Sequence, residues 1–198
     1  FDYKKYLYGD NATFEIKNNC LIYHHSSCQP SYKDKINEAV ASLYQLDISN
    51  IDTIIVDLRG NTGGLLDNAV FIADMFINDG TIVDIIYRNG YKKSIKAKDE
   101  RLTMQKPVVV LVNGASASAS EILSGALKDY NKATLIGRKT FGKGLVQKVV
   151  PLPNQTGVNV TIARYLTPNG TDINKLGIKP DVEIGNDYDF YINNKRDI

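Results

Sequence analysis

Two uninterrupted apolar runs set most of the limits on how this chain can fold. Thr53-Ile54-Ile55-Val56 and residues 107–112 are β-branched, apolar stretches without alternation, the pattern of strands buried on both faces. Each run leads into a loop of small or glycine residues, and each loop into a segment with helical spacing. The first loop is 57–64, followed by helical spacing over 65–76; the second is 113–118, followed by a helix over about 118–127. Strand, loop and helix recurring twice predict an α/β core with parallel pairing. In such sheets function gathers beyond the carboxyl ends of the strands, and the two loops occupy that position.

Around this core the chain reads as additional strands. Residues 81–87 and 92–96 flank Asn89-Gly90, a strong hairpin signal, and 134–136, 145–152 and 158–165 complete the strand-like segments. Near the N-terminus, 12–17 and 20–23 read as short strands about an Asn18-Asn19 turn. Ile36, Ala39, Val40, Leu43 and Tyr44 then fall on one face of a helix ending near Leu46. With no internal repeat and no Pro- or Ser-rich linker, the organisation expected is an N-terminal extension over 1–30, a core over 31–185 and a C-terminal tail over 186–198.

Composition excludes several classes. The 198 residues are 43% hydrophobic and 23% charged, ordinary for one folded domain. Lys and Arg number 24 against 22 Asp and Glu, a net charge of +2, and no basic run exceeds two residues, as at Lys92-Lys93. A nucleic-acid binder would carry a basic stripe. No segment approaches the run of about 18 apolar residues a transmembrane helix needs. Cys20, His24, His25 and Cys28 crowd into one short stretch, but their spacing matches no common structural zinc site. A disulfide or two unlinked thiols is expected there, and no metal is assigned. The chain opens on Phe1 rather than Met, which reads as a processed chain or a cut fragment, and no signal peptide is visible.

Three segments carry candidate chemistry. Asn113-Gly-Ala-Ser-Ala-Ser-Ala-Ser-Glu121 follows a buried strand and opens a helix, where free N–H groups and positive potential gather. A serine there suits a nucleophile, with the next N–H stabilising an oxyanion. The same Ser118-Ala-Ser-Glu121 is equally a capping box, so the segment alone decides nothing. Gly137 to Gln147 joins two strands and holds Lys143 between Gly142 and Gly144. The only histidines, His24 and His25, lie far off in sequence, and neither shows an acidic orienter. A lysine whose burial disfavours its charge acts as a base instead. Placed on a strand, Gln147 would share a face with Lys143 and orient its amine. Gly137-x4-Gly142-Lys143 nearly matches a P-loop, but Gly144 stands where a Mg²⁺-binding hydroxyl belongs and a strand follows where a helix should. No nucleotide is assigned. The third segment, Asp57-Leu-Arg-Gly-Asn-Thr-Gly-Gly64, presents glycine N–H groups to an anion or forms a tight strand-to-helix turn.

Taken in order, these segments resemble the carboxyl-terminal processing serine peptidases, also called tail-specific proteases. Asp57 to Asp67 is similar to that family's Asp-Leu-Arg-Asn-Asn-Pro-Gly-Gly-Leu-Leu motif, with Gly60 and Thr62 replacing the usual Asn and Pro. Ser116-Ala-Ser-Ala-Ser-Glu121 resembles its nucleophile segment and Thr140-Phe-Gly-Lys-Gly-Leu-Val-Gln147 its lysine segment. Tyr165-Leu-Thr-Pro-Asn-Gly170 and Gly177-Ile-Lys-Pro-Asp181 resemble its closing motifs. No PDZ-like domain is present, although many members carry one; either it was cut away before Phe1 or the protein lacks it.

The resemblance implies an α/β crotonase/ClpP-like superhelical core with β-hairpin decorations and a serine endopeptidase acting on polypeptide substrates near their C-termini. It implies Ser118 as nucleophile, Lys143 as base and Gln147 as orienter, with Gly64 and Ala119 as oxyanion donors, activity that rises with pH, and no cofactor. It also implies work outside the cytoplasm, at a cell envelope or secreted, and allows homo-oligomers or tethering through segments outside this chain. The alternative is a non-catalytic peptide-binding module of the same fold.

Overall fold

The computed structural model describes residues 4–7, 12–25, 49–98, 105–153 and 156–185. The helix expected up to Leu46, together with Cys28 and the 186–198 tail, lies outside the described residues. Eleven strands and two helices are described. The strands are β1 (Lys4–Leu7), β2 (Ala12–Lys17), β3 (Cys20–His25), β4 (Thr53–Asp57), β5 (Thr81–Tyr87), β6 (Lys92–Lys96), β7 (Val108–Val112), β8 (Thr134–Gly137), β9 (Leu145–Leu152), β10 (Thr156–Leu166) and β11 (Val182–Glu183). The helices are α1 (Leu66–Asp74) and α2 (Ala119–Asp129).

A seven-stranded sheet runs β1-β2-β3-β4-β7-β8-β11, and a four-stranded sheet runs β6-β5-β10-β9. From β3 to β11 every pairing in the larger sheet is parallel. The two apolar runs become β4 and β7, adjacent in that sheet, and no residue of either is exposed. That is why their sequences show no alternation: both faces are covered. The expected α/β class with hairpin decorations is what the chain forms, the hairpins being β5–β6 and β9–β10.

β2 and β3, joined by Asn18 and Asn19 at φ 50° and 58°, belong to the main sheet, because β3 pairs in parallel with β4. Residues 12–25 thus add two strands to the main sheet. The paired strands are too short to announce that long-range partner in sequence.

The core lies between the sheets and helices. Leu58, Ala73, Ile82, Val83, Val110, Ala126, Leu127, Leu135 and Ile173 have essentially no exposed surface. α1 turns Ala69, Ile72 and Ala73 inward, at the i, i+3, i+4 spacing of one helical face. α2 is buried from Ala119 through Leu127, as expected of a helix enclosed on every side. It stops at Asn131, whose φ of 52° turns the chain left-handed. Lys132 N–H then reaches the Leu127 carbonyl and Asn131 N–H the Lys128 carbonyl, each at 2.8 Å, the two bonds of a Schellman end. The start of this helix and the carboxyl ends of β4 and β7 meet at one edge of the sheet.

Candidate active site

The loops 57–64 and 113–118 are stitched together by backbone and serine hydroxyls. Leu58 N–H bonds the Leu111 carbonyl (2.9 Å), and Ala117 N–H bonds the Asn61 carbonyl (3.0 Å). Ser116 Oγ donates to the Leu58 carbonyl at 2.7 Å and accepts from Asn113 N–H at 3.0 Å. Ser120 Oγ donates to the Asn61 carbonyl at 3.1 Å. Both side chains are buried, Ser116 completely. The alternating serines therefore separate: Ser116 and Ser120 are consumed as ties between the loops. Ser118, between them, is partly exposed.

The backbone of Ser118 is strained. It holds φ 57° and ψ −115° at the N-cap of α2, a conformation that costs a non-glycine residue on the order of 1–3 kcal/mol. Strand-to-helix turns of this kind lift a nucleophile clear of its own loop. Gly63 makes room for it. At φ +96° its missing Cβ would stand 2.6 Å from the Ala117 carbonyl oxygen and 2.7 Å from Ser118 Cβ, so only glycine fits. Gly63 N–H is committed to Asn61 Oδ1 at 2.8 Å. Ala119, as the first residue of α2, has an N–H with no acceptor inside the helix.

Glu121 joins this loop to the lysine segment. Its carboxylate is fully buried and accepts four hydrogen bonds. Thr140 Oγ1 (2.5 Å) and Gly142 N–H (2.6 Å) donate to Oε1. Ser118 N–H and Lys143 N–H, each at 2.8 Å, donate to Oε2. One oxygen thus holds the main chains of Ser118 and Lys143 at a common point. The capping role expected of Glu121 is present in its bond to Ser118 N–H, but the side chain does more than cap. Its reach to Thr140, Gly142 and Lys143 was missed in the sequence, where a Glu three residues after a Ser signals a helix start and nothing beyond it.

The lysine segment is pinned along its length. Arg138 N–H bonds the Val112 carbonyl, Phe141 N–H the Ser116 carbonyl and Thr140 N–H the Ile178 carbonyl, all within 3.1 Å. Ile178 N–H returns to Thr140 Oγ1 at 2.7 Å, and Lys175 N–H bonds the Gly142 carbonyl at 2.8 Å. The segments around Tyr165 and Gly177 brace this loop from its other side, while Phe141 and Glu121 tie it to the nucleophile loop. Gly142 and Gly144 are buried, whereas Lys143 is exposed. The burial expected to disfavour its charge is not supplied by the described residues. Lys143 also precedes β9, which begins at Leu145, instead of lying on it; the Tyr165 N–H bond to the Gly144 carbonyl (2.8 Å) lies just ahead of that strand. Gln147 is exposed on β9, opposite Thr161. Among the described residues no hydrogen bond joins the side chains of Ser118, Lys143 and Gln147. That Lys143 leads into a strand agrees with setting aside the P-loop reading.

His24 does have an acidic neighbour, contrary to the sequence reading. Parallel pairing aligns His24 with Asp57, and its Nδ1 lies 3.2 Å from Asp57 Oδ2. Arg59 grips the same carboxylate through Nε (2.9 Å), Nη2 (2.8 Å) and its backbone N–H (3.1 Å). Burial pushes the Asp57 carboxyl up, but the Arg59 hydrogen bonds and the Arg59 and His24 charges outweigh it and hold it below its ordinary value. The histidine and aspartate are 33 residues apart, so only strand register reveals the pair.

Comparison with known proteins places this arrangement. The profile described as "Peptidase family S41" matches residues 20–184. A carboxyl-terminal-processing protease of Synechocystis sp. is 49% identical over 144 residues, covering 73% of this chain and 34% of that protein. The carboxy-terminal processing protease CtpA of Bacillus subtilis is 45% identical over 130 residues, covering 65% of this chain and 28% of that one. Among solved structures, a photosystem II D1 C-terminal processing protease superposes with a TM-score of 0.74 at 38% identity, covering 83% of this chain and 42% of that chain. The chain spans about a third of the length of the curated relatives it matches. The match extends from β3 through both loops and the lysine segment to β11, and the chain belongs to peptidase family S41.

Proposed function

We propose that this chain is the core of a serine endopeptidase that hydrolyses peptide bonds in polypeptide substrates near their C-termini, working outside the cytoplasm. The observation that carries the reading is the division of labour among the three alternating serines. Two are buried as ties, and the third stands partly exposed on a strained turn, its backbone held to that of Lys143 by Glu121.

In this mechanism Ser118 Oγ attacks the substrate carbonyl carbon while the neutral amine of Lys143 takes the hydroxyl proton. The tetrahedral oxyanion is received by the N–H groups of Ala119 and Gly64, Gly63 being committed to Asn61. As the C–N bond breaks, Lys143 returns the proton to the departing amine. Water, deprotonated by Lys143, then attacks the acyl-enzyme and frees Ser118. A substrate strand laid over the exposed Lys143 supplies the desolvation that favours its neutral form. Gln147 orients the amine once that strand is in place.

The test is cleavage of an unstructured polypeptide, read by mass spectrometry. Wild type is compared with Ser118→Ala, Lys143→Ala, Lys143→Arg and His24→Ala. The expected result is cutting by wild type and His24→Ala and silence from the other three. Arginine fails because its guanidinium stays protonated. Loss of cutting in His24→Ala with retention in Lys143→Ala would transfer the base role to His24. If no protein cuts and a serine-acylating probe leaves Ser118 unlabelled, the chain is a peptide-binding module instead.

A further inference from the structure

The loop over 57–64 holds one side chain that the serine–lysine chemistry does not use. Asn61 has essentially no exposed surface, although it lies in a loop among glycines, between the exposed Gly60 and Thr62. A buried amide is costly unless its polar atoms are engaged. Asn61 Oδ1 accepts the Gly63 N–H at 2.8 Å, the short reach by which asparagine closes a turn on its own backbone. Its carbonyl accepts from the other loop, from Ala117 N–H at 3.0 Å and Ser120 Oγ at 3.1 Å. One residue thus grips the glycine turn with its side chain and the serine loop with its main chain.

What the side chain holds is the contact between that turn and the nucleophile. Gly63 lies so close to the serine loop that a Cβ on it would stand 2.7 Å from Ser118 Cβ and 2.9 Å from the Ala119 nitrogen. Glycine has the widest choice of backbone conformation, and the Asn61 bond removes that choice at Gly63. Without the bond, the buried Gly63 N–H loses its acceptor, which favours any rearrangement of the loop that supplies another. A second tie, from Gly60 N–H to Asn113 Oδ1 at 3.0 Å, pins the start of the loop and does not reach Gly63. Gly64 follows on the next peptide unit, so its N–H turns with Gly63. The two proposed oxyanion donors come from different loops, Gly64 from one and Ala119 from the other, and their spacing depends on this contact.

We propose that Asn61 is a positioning residue for the oxyanion site: by holding Gly63 N–H it fixes the spacing of the Gly64 and Ala119 donors about the oxygen on which charge develops. The assignment rests on the peptidase reading, and it gives Asn61 no contact with substrate. Its effect falls on the transition state and not on ground-state binding.

The experiment measures kcat and KM on a peptide that wild type cleaves, together with the inhibition constant of the corresponding peptide boronic acid. Its boron bonds to Ser118 Oγ as the hydroxyl proton leaves, giving a tetrahedral anion that occupies the oxyanion site. Asn61→Ala and Asn61→Leu both lack the acceptor, and leucine keeps most of the volume in case alanine fails to fold. Asn61→Ser keeps an acceptor on a shorter arm. Both acceptor-free variants are expected to lose kcat at least about tenfold, short of the roughly 10²–10³-fold that removing a donor outright costs. KM should stay within about twofold, the inhibition constant should rise by the factor that kcat falls, and Asn61→Ser should recover part of each. A KM that worsens in step with kcat, or an inhibition constant that does not move, overturns the assignment. If wild type cleaves and the acceptor-free variants match its kcat, the assignment alone falls. If wild type neither cleaves nor binds the boronic acid, the peptidase reading falls and takes the assignment with it.

Discussion

At the scale of single residues, the candidate site depends on one strained serine and one saturated carboxylate. Ser118 pays for φ 57° with backbone energy that glycine would not spend. Ser118→Gly should therefore be inactive yet melt higher than Ser118→Ala, by about 1 kcal/mol in chemical denaturation. A Ser118→Ala protein at least as stable as Ser118→Gly would show that the turn is not strained. Glu121 makes the opposite trade. All four of its partners are donors, so Glu121→Gln must aim an amide NH₂ at donors and leave some unpaired. Each costs about 1–3 kcal/mol. The variant should lose most of its kcat with KM changed little, because the carboxylate positions Ser118 and Lys143 without touching substrate. Ser118 and Lys143 stood out as candidates in the sequence because each sits among small residues in a loop of its own. The bond pattern that couples them did not, since residues 118 and 143 share no local signal.

At the scale of elements, the site exists because β4 and β7 end side by side and α2 begins where they end. Gly137, the last residue of β8, has φ +135°, and a Cβ there would run into the Val112 carbonyl. Gly137→Ala should push β8 from β7, lower stability by about 2 kcal/mol or more, and reduce cleavage through the displaced lysine segment. Thermal melting of the variant measures it, and an unchanged melt would refute the clash. Strand and helix identities were readable here because the buried runs lack alternation and the helices keep their spacing. The hairpin β5–β6 was readable from Asn89-Gly90 for the same local reason. The membership of β2 and β3 in the main sheet was not, because strand pairing is a contact across distance that short strands do not encode.

At the scale of the whole molecule, charge pairs tie stability to pH. Burial raises the carboxyls of both Asp57 and Asp181, yet Arg59 in one case, and Lys128 and Leu135 N–H in the other, hold them below their ordinary values. A carboxyl depressed in the folded state contributes stability above its unfolded value, about pH 4, that is lost as pH falls through the folded value. The stability gap between wild type and Asp57→Asn should therefore be widest above about pH 5 and shrink steadily below about pH 4 in urea titrations. A gap independent of pH would remove the linkage. The sequence by itself determined the α/β class and the two loops that follow β4 and β7, because those follow from local periodicity and from residues packed within a few positions of each other; it offered Ser118 and Lys143 as candidates through the order of its motifs. Only the tertiary structure decided that Glu121 joins the two loops, that His24 meets Asp57 and that Lys143 stands exposed. Each of those is a contact or an exposure set by strand register and packing between segments tens of residues apart, which no local pattern encodes.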